Sequence, residues 1–405
     1  MHKQGLSITG IPVCLLKRIL GGKNMVKYSQ TCPVIFGQGA INELGNEAKA
    51  LGVTKAIVIT DEFIIKGDGY KTCIKSLKDA GIEVAEFTKC VADPPSDVVH
   101  EASRIAKDAK VNGVIGIGGG SSLDTAKGVN LLFNNPEPVT QYFGGPPQVP
   151  GFPLICVPTA AGTGSEVTVF GVLTNSQTGA KGPAVFSPAS LAILDPVMTV
   201  TAPPSVTAST GLDAFTHAAE SITSRTENPK ADLLSFEAIR LIVKSLPKAF
   251  DDGSDLDARA DVLLASNFAG LAFNDAMVQF GHAIAHSMGV QFHVAHGICC
   301  ALAIPEAMKY SAKIKPEKVR MIGQAMGLSF GGSDSPGQIG DKVAAACIAL
   351  MKRVKIPSFK DLGISRDDLL GIVDLVMSDI GFMFIPAPIS KEEVLSYLGS
   401  AYDNY

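Results

Sequence analysis

The chain has 405 residues, of which 46% are hydrophobic and 18% charged, a composition suited to well-packed globular domains and not to a disordered chain. With 35 basic against 39 acidic residues its formal net charge is −4, and the absence of a basic tract speaks against nucleic acid or an anionic membrane surface as a partner. No apolar run reaches the roughly 18 residues needed to cross a bilayer.

Residues 1–24 are basic and lack acids. Lys17 and Arg18 interrupt the apolar run from Ile11 to Leu20, so the stretch reads as an extension outside the fold and not as a signal-peptide core. The eight cysteines, Cys14 included, form no C-x-x-C pair, which favours free thiols in a reducing cytoplasm over a disulfide framework. Residues 25–204 then read as one domain. Lys55–Thr60, Ile82–Phe87, Val111–Ile117 and Pro153–Val157 are short β-branched apolar runs that predict buried strands. Tyr70–Ala80 and Asp97–Lys110 repeat apolar residues at helical spacing between them. Such alternation predicts parallel strands with right-handed crossovers, an α/β domain of the Rossmann-like, nucleotide-binding kind.

Two loops stand out within it. Gly116-Ile117-Gly118-Gly119-Gly120-Ser121-Ser122 joins a strand to a helix expected near Leu123. Glycines there admit backbone N–H groups to a diphosphate at a helix N-terminus, or else form an ordinary tight turn. Neither G-x-G-x-x-G nor a P-loop is present. After the next strand, Pro158–Thr168 combines glycine with small hydroxyl residues that can wrap a nucleotide. Asp61, at the end of the first strand, suits a ribose hydroxyl and would repel a 2′-phosphate, favouring NAD over NADP; it suits a helix N-cap equally well.

From residue 205 to 405 strand signals fade. Helices are expected over Asp232–Leu246, Leu256–Phe273, Lys342–Val354 and Arg366–Met377, giving an all-α second domain. Five of the seven histidines fall between Gly211 and Gly297. Asp213 and His217 are four residues apart, as are His282 and His286, so each pair shares one helix face. With His296 they suggest a divalent metal bound by Asp213, His217, His282 and His296, a set that suits Fe(II) or Zn(II) better than Ca or Mg.

Gly118-Gly119-Gly120-Ser121-x-x-Asp124-x-Ala126-Lys127, the loop Pro158–Thr168, Gly211-x-Asp213-Ala214-x-Thr216-His217, and His282-Ala283-x-Ala285-His286 with His296-Gly297 together resemble the iron-containing (group III) alcohol dehydrogenases. The resemblance runs over roughly residues 25–400. It implies a dehydroquinate synthase-like architecture, an α/β domain for NAD(H) followed by a helical metal domain. It also implies the four ligands above for Fe(II) or Zn(II), and His286 close to the nicotinamide. Gly119, Gly120 and Ser121 would hold the pyrophosphate. Asp124 is counted with the cofactor residues of the same motif, and Thr159, Thr163 and Lys181 would lie along the cofactor. The implied reaction is hydride transfer between a small primary alcohol and NAD, in a homodimer or larger homo-oligomer. Because histidine titrates near neutral pH, His286 is the candidate proton relay, or else a structural histidine bonded on its own helix face.

The chain departs from that pattern in three places. Asn274–Gly281 lacks the usual pair of small glycines, Ser287-Met288 replaces Pro-Leu, and Asp93-Pro94 replaces Asn-Pro. Two other readings compete: an NAD- and metal-dependent lyase of the dehydroquinate synthase type, and a non-catalytic nucleotide-binding protein.

Overall fold

The computed structural model describes residues 26–146 and 148–405; the proposed extension and Cys14 lie outside them. The described residues form two compact units. One comprises Thr31–Thr159 and Ser165–Met198, the other Val26–Gln30, Ala160–Gly164 and Thr199–Tyr405.

In chain order the first unit contains β1 (Val34–Phe36), α1 (Leu44–Ala50), β2 (Lys55–Ile59), α2 (Asp68–Asp79), β3 (Glu83–Phe87), α3 (Ser96–Asp108), β4 (Gly113–Gly118) and α4 (Gly120–Leu131). It continues with β5 (Leu154–Pro158), β6 (Phe170–Thr174), β7 (Lys181–Val185) and β8 (Leu191–Leu194). Six strands form one sheet in the order β1-β8-β5-β4-β2-β3, and every neighbouring pair is parallel. β4, β5 and β8 are buried along their whole length, the mark of strands covered on both faces. Helix α2 turns Tyr70, Cys73 and Leu77 inward, and α3 does the same with Val99, Ala102 and Ala106, as the apolar spacing predicts.

Because β2 lies between β3 and β4, the winding reverses there. The carboxyl ends of β2 and β4 therefore flank a topological switch point, where open α/β sheets bind ligands.

The periodicity of residues 25–204 predicts only alternating strands and helices. Instead β6 and β7 form a separate antiparallel hairpin between β5 and β8. β1 and β8, three and four residues long, are too short to carry a periodic signal. Helix α4 begins at Gly120, ahead of the expected Leu123, with Gly119 in extended conformation as its N-cap.

The second unit is helical from α5 (Pro204–Thr223) onward: α6 (Pro229–Asp251), α7 (Leu256–Ala276), α8 (Phe280–Phe292), α9 (His296–Ile314), α10 (Pro316–Ala325), α11 (Pro336–Arg353), α12 (Arg366–Gly371), α13 (Val373–Ser378) and α14 (Lys391–Asn404). Helix α6 was expected to stop before Pro247 but runs through it to Asp251, with Leu246 and Ala249 on either side packed in the core. The single helix expected over Arg366–Met377 is split at Ile372, next to the poor helix former Gly371. Helix α5 is buried at every position from Gly211 to Thr223. Phe215, Ile222, Leu246, Phe280, Met288 and Ile304 belong to the core cluster that surrounds it. A helix enclosed on all sides must satisfy its polar side chains internally, and α5 carries Asp213, His217 and Glu220.

In β4, a Cβ on Gly116 would lie 2.9 Å from Ala126 Cβ and 3.1 Å from a Leu123 methyl, so glycine sets how closely α4 seats on the sheet. Gly116→Ala is expected to destabilise the chain by about 1–3 kcal/mol through overpacking. A thermal melt shows this as a lowered Tm, and an unchanged Tm would mean that α4 shifts freely.

Candidate metal centre and cofactor loops

Asp213 and His217 project from one face of α5, His282 comes from the first turn of α8, and His296 opens α9. One donor atom from each of the four lies within 4.8 Å of the others. Asp213 Oδ1 stands 3.8 Å from His217 Nδ1, 3.9 Å from His282 Nε2 and 3.4 Å from His296 Nε2. Asp213 Oδ1 and His217 Nδ1 are buried without a hydrogen-bond partner. Buried polar atoms are ordinarily satisfied, so converging, unsatisfied O and N donors fit a divalent ion of the Fe(II) or Zn(II) type.

The electrostatics agree. Burial pushes the His217 and His282 imidazoles below their ordinary range, which leaves them neutral with a lone pair to offer. Burial alone would raise Asp213, but His217 and His296 beside it and a Cys300 hydrogen bond bring it down to about 2, so it is anionic. His296 is the exposed member, with 44% of its side chain accessible, and gives the cluster its open side.

A ring of further contacts orients these donors. Glu220 Oε2 meets His282 Nδ1 at 2.7 Å and also accepts the backbone N–H groups of Gln279 at 3.1 Å and His282 at 3.0 Å. Its other oxygen accepts from the Gly281 N–H. One buried carboxylate therefore fixes the His282 ring and caps the free N–H groups at the start of α8. Burial raises the Glu220 carboxyl to about 7, against the pull of those three N–H donors. A Cβ on Gly281 would lie 2.8 Å from Glu220 Oε1, so this glycine makes the approach possible. The His217 ring bonds the Gly162 backbone and stacks on Phe273 with centroids 4.4 Å apart. Cys300 Sγ lies 3.5 Å from His296 Nε2 and 3.8 Å from His282 Nε2.

Sequence reasoning missed Glu220 and Cys300. Glu220 follows His217 by three residues and Cys300 follows His296 by four, so both share a helix face with a ligand candidate, which is the signal that could have found them. His286 is not a fifth member of the cluster. Its Nδ1 faces the Asp379 carboxylate, 3.1 and 3.2 Å from the two oxygens. His293 caps the C-terminus of α8 at φ 55°, on the surface.

In the first unit, three strand-end loops meet at the switch point. Gly118 O accepts the Thr159 N–H at 3.0 Å, joining the ends of β4 and β5. A Cβ on Gly118 would lie 3.9 Å from Asp61 Oδ2, which brings the end of β2 alongside. Gly119 caps α4 without any side-chain bond, so the first N–H groups of that helix face the same loop region and can bind an anion. Asp61 Oδ1 accepts the Phe63 and Ile64 N–H groups at 2.8 and 2.9 Å, as a cap does, while Oδ2 borders the glycine loop. Asp124 is bonded internally, to Ser165 Oγ at 2.7 Å and Val172 N at 2.8 Å, near the buried Lys127, and thereby shapes the loop after β5. Lys181, on β7, pairs with Asp93 at 2.7 Å. Thr163 falls in the short segment 160–164 that groups with the helical unit.

Comparison with known proteins bears on both halves of the chain. Residues 32–196 match the family profile described as iron-containing alcohol dehydrogenase, and residues 207–402 match the C-terminal profile of the Fe-containing alcohol dehydrogenase family. The chain is 36% identical over 355 residues to a choline dehydrogenase of Bacillus subtilis, covering 85% of this chain and 87% of that one. It is 30% identical to an NAD-dependent methanol dehydrogenase of Bacillus methanolicus, over 91% of this chain and 97% of that one. The crystal structure of a 1,3-propanediol oxidoreductase superposes with a TM-score of 0.89 at 32% identity, covering 93% of this chain and 100% of that one.

Because Glu220 orients His282, Glu220→Gln is expected to weaken Zn(II) affinity about 10–100-fold. Competition with a chromophoric chelator measures this, and an affinity equal to that of the parent chain would show that the carboxylate only supports the fold.

Proposed function

The chain belongs to the iron-containing alcohol dehydrogenase family, and on that premise we propose that it oxidises small primary alcohols, and reduces the corresponding aldehydes, with NAD(H) as hydride carrier and a divalent metal held by Asp213, His217, His282 and His296. The observation that carries this reading is the convergence of those four donor groups. Choline, methanol and 1,3-propanediol, named for the relatives, share a primary hydroxyl, and this supports the substrate class.

Fe(II) or Zn(II) held by these four residues would supply Lewis-acid polarisation of the substrate oxygen, lowering the cost of moving hydride to or from the carbon that bears it. The residues of the chain do the rest. Asp213 offsets part of the ionic charge and the neutral imidazoles leave the remainder available for polarisation. Glu220 keeps His282 in one orientation. Gly119, Gly120 and Ser121 offer the α4 N-terminus to the pyrophosphate, with Thr159 alongside; Thr163 and Lys181 complete the cofactor set, and Asp124 acts through the loop it bonds. Asp61 favours the ribose of NAD. His286 receives the hydroxyl proton, its one-third exposed side chain giving that proton a route to water. The seven cysteines among the described residues are buried and none is in a disulfide, which supports a reducing, cytoplasmic compartment. A homo-oligomer, dimer or larger, is proposed from the family resemblance.

Removing the metal with a chelator should abolish NADH formation from primary alcohols, and Fe(II) or Zn(II) should restore it. His282→Ala should lose both metal and turnover while keeping its far-UV circular dichroism. Full turnover by the stripped protein would exclude the metal role.

Asp61→Asn keeps an oxygen to cap Phe63 and Ile64 but removes the charge. It is expected to improve NADP use by about 10-fold relative to NAD, equivalent to ~1.4 kcal/mol. Steady-state kinetics with both dinucleotides decides this, and an unaltered preference would assign selectivity elsewhere.

A further inference from the structure

Asp379 opens the short 3-10 turn Ile380–Phe384, and its Oδ1 accepts the Gly381 N–H at 2.7 Å. The turn sits hard against the beginning of α8. A Cβ on Gly381 would lie 2.8 Å from the Gln279 carbonyl oxygen and 3.3 Å from Ala283 N, so glycine allows the approach. Held there, the Asp379 carboxylate faces His286 Nδ1 with both oxygens, at 3.1 and 3.2 Å. The His286 ring lies parallel to that of His296 with centroids 5.5 Å apart, and edge-on to His282 at 5.7 Å. It is an imidazole beside the metal cluster, bonded outside it.

A carboxylate opposite Nδ1 can only accept, so it selects the tautomer with the proton on Nδ1 and the lone pair on Nε2. It also removes the ring's freedom to flip, which matters for a side chain that is 34% exposed where His282 is 2%. The Asp379 side chain is 16% exposed, and the Gly381 N–H holds one of its oxygens, so it is the less mobile of the two partners.

We propose that Asp379 is a positioning residue for the dehydrogenase reaction: its carboxylate holds His286 in the orientation and tautomer in which Nε2 takes the proton of the substrate hydroxyl. This rests on the reading of His286 as the proton acceptor. In alcohol oxidation the O–H bond breaks with its proton passing to Nε2, while the carbon loses hydride to NAD+; in aldehyde reduction both transfers reverse. Asp379 exchanges nothing with substrate.

The test compares Asp379→Asn, Asp379→Glu, His286→Gln and the Asp379→Asn/His286→Gln double variant, each with its metal content and melting temperature measured beside kcat and KM. The expected result is a kcat lowered about 10²-fold in Asp379→Asn, with KM and metal content unchanged. Asp379→Glu should recover part of the loss, and the double variant should be no slower than His286→Gln. If His286→Gln is slow while Asp379→Asn turns over at the parental rate, the proposal is overturned and the relay reading stands. Losses that multiply in the double variant overturn it as well, because Asp379 then acts independently of His286. Parental kcat in His286→Gln removes the relay reading and the proposal with it.

Discussion

A single buried carboxylate holds the helical unit's chemistry in place. Glu220 is 0% exposed, and an anion so placed is costly unless its oxygens are fully engaged. Here the partners are the N–H groups of Gln279, Gly281 and His282 together with His282 Nδ1. The N–H groups at the start of a helix lack intrahelical partners, so α8 and the carboxylate satisfy each other. The same carboxylate that sets where α8 begins also sets the direction of the His282 ring. Chain folding and site geometry are coupled through one side chain on α5.

The α/β unit solves a different problem with backbone. The reversal of winding between β2 and β4 leaves two strand ends side by side at a topological switch point. Gly118 lets the Ser122 side chain close onto the strand end, where a Cβ would lie 2.5 Å from both its Cβ and its Oγ, and Gly116 draws α4 close below it. The polar side chains nearby mostly bond to one another: Asp124 to Ser165 and Val172, Lys127 to Ser165 and the Phe170 carbonyl. They fix the loop's shape, and the helix N-terminus supplies the attraction for a phosphate.

Much of this was legible in the chain itself. Buried parallel strands announce themselves as unbroken apolar runs, so β2, β4 and β5 were found within a residue or two. The hairpin β6–β7 was not, because Pro183 and the exposed Val172 blur its alternation. Histidine pairs four residues apart pointed to a metal because the α-helix makes such pairs neighbours. Asp379 was invisible for the opposite reason: it lies 93 residues from His286, and no periodicity spans that distance.

By itself, then, the sequence determined the kinds of element, their order, and the donor chemistry of Asp213, His217, His282 and His296, since these follow from local spacing and side-chain type. Only the tertiary structure decided which of those groups converge, that His286 turns to Asp379, that Glu220 secures His282, and that Asp61 serves as cap and loop neighbour together. Local periodicity says which face of a helix a residue occupies. What that face meets depends on packing between segments far apart in the chain, and that is settled when the core closes around α5.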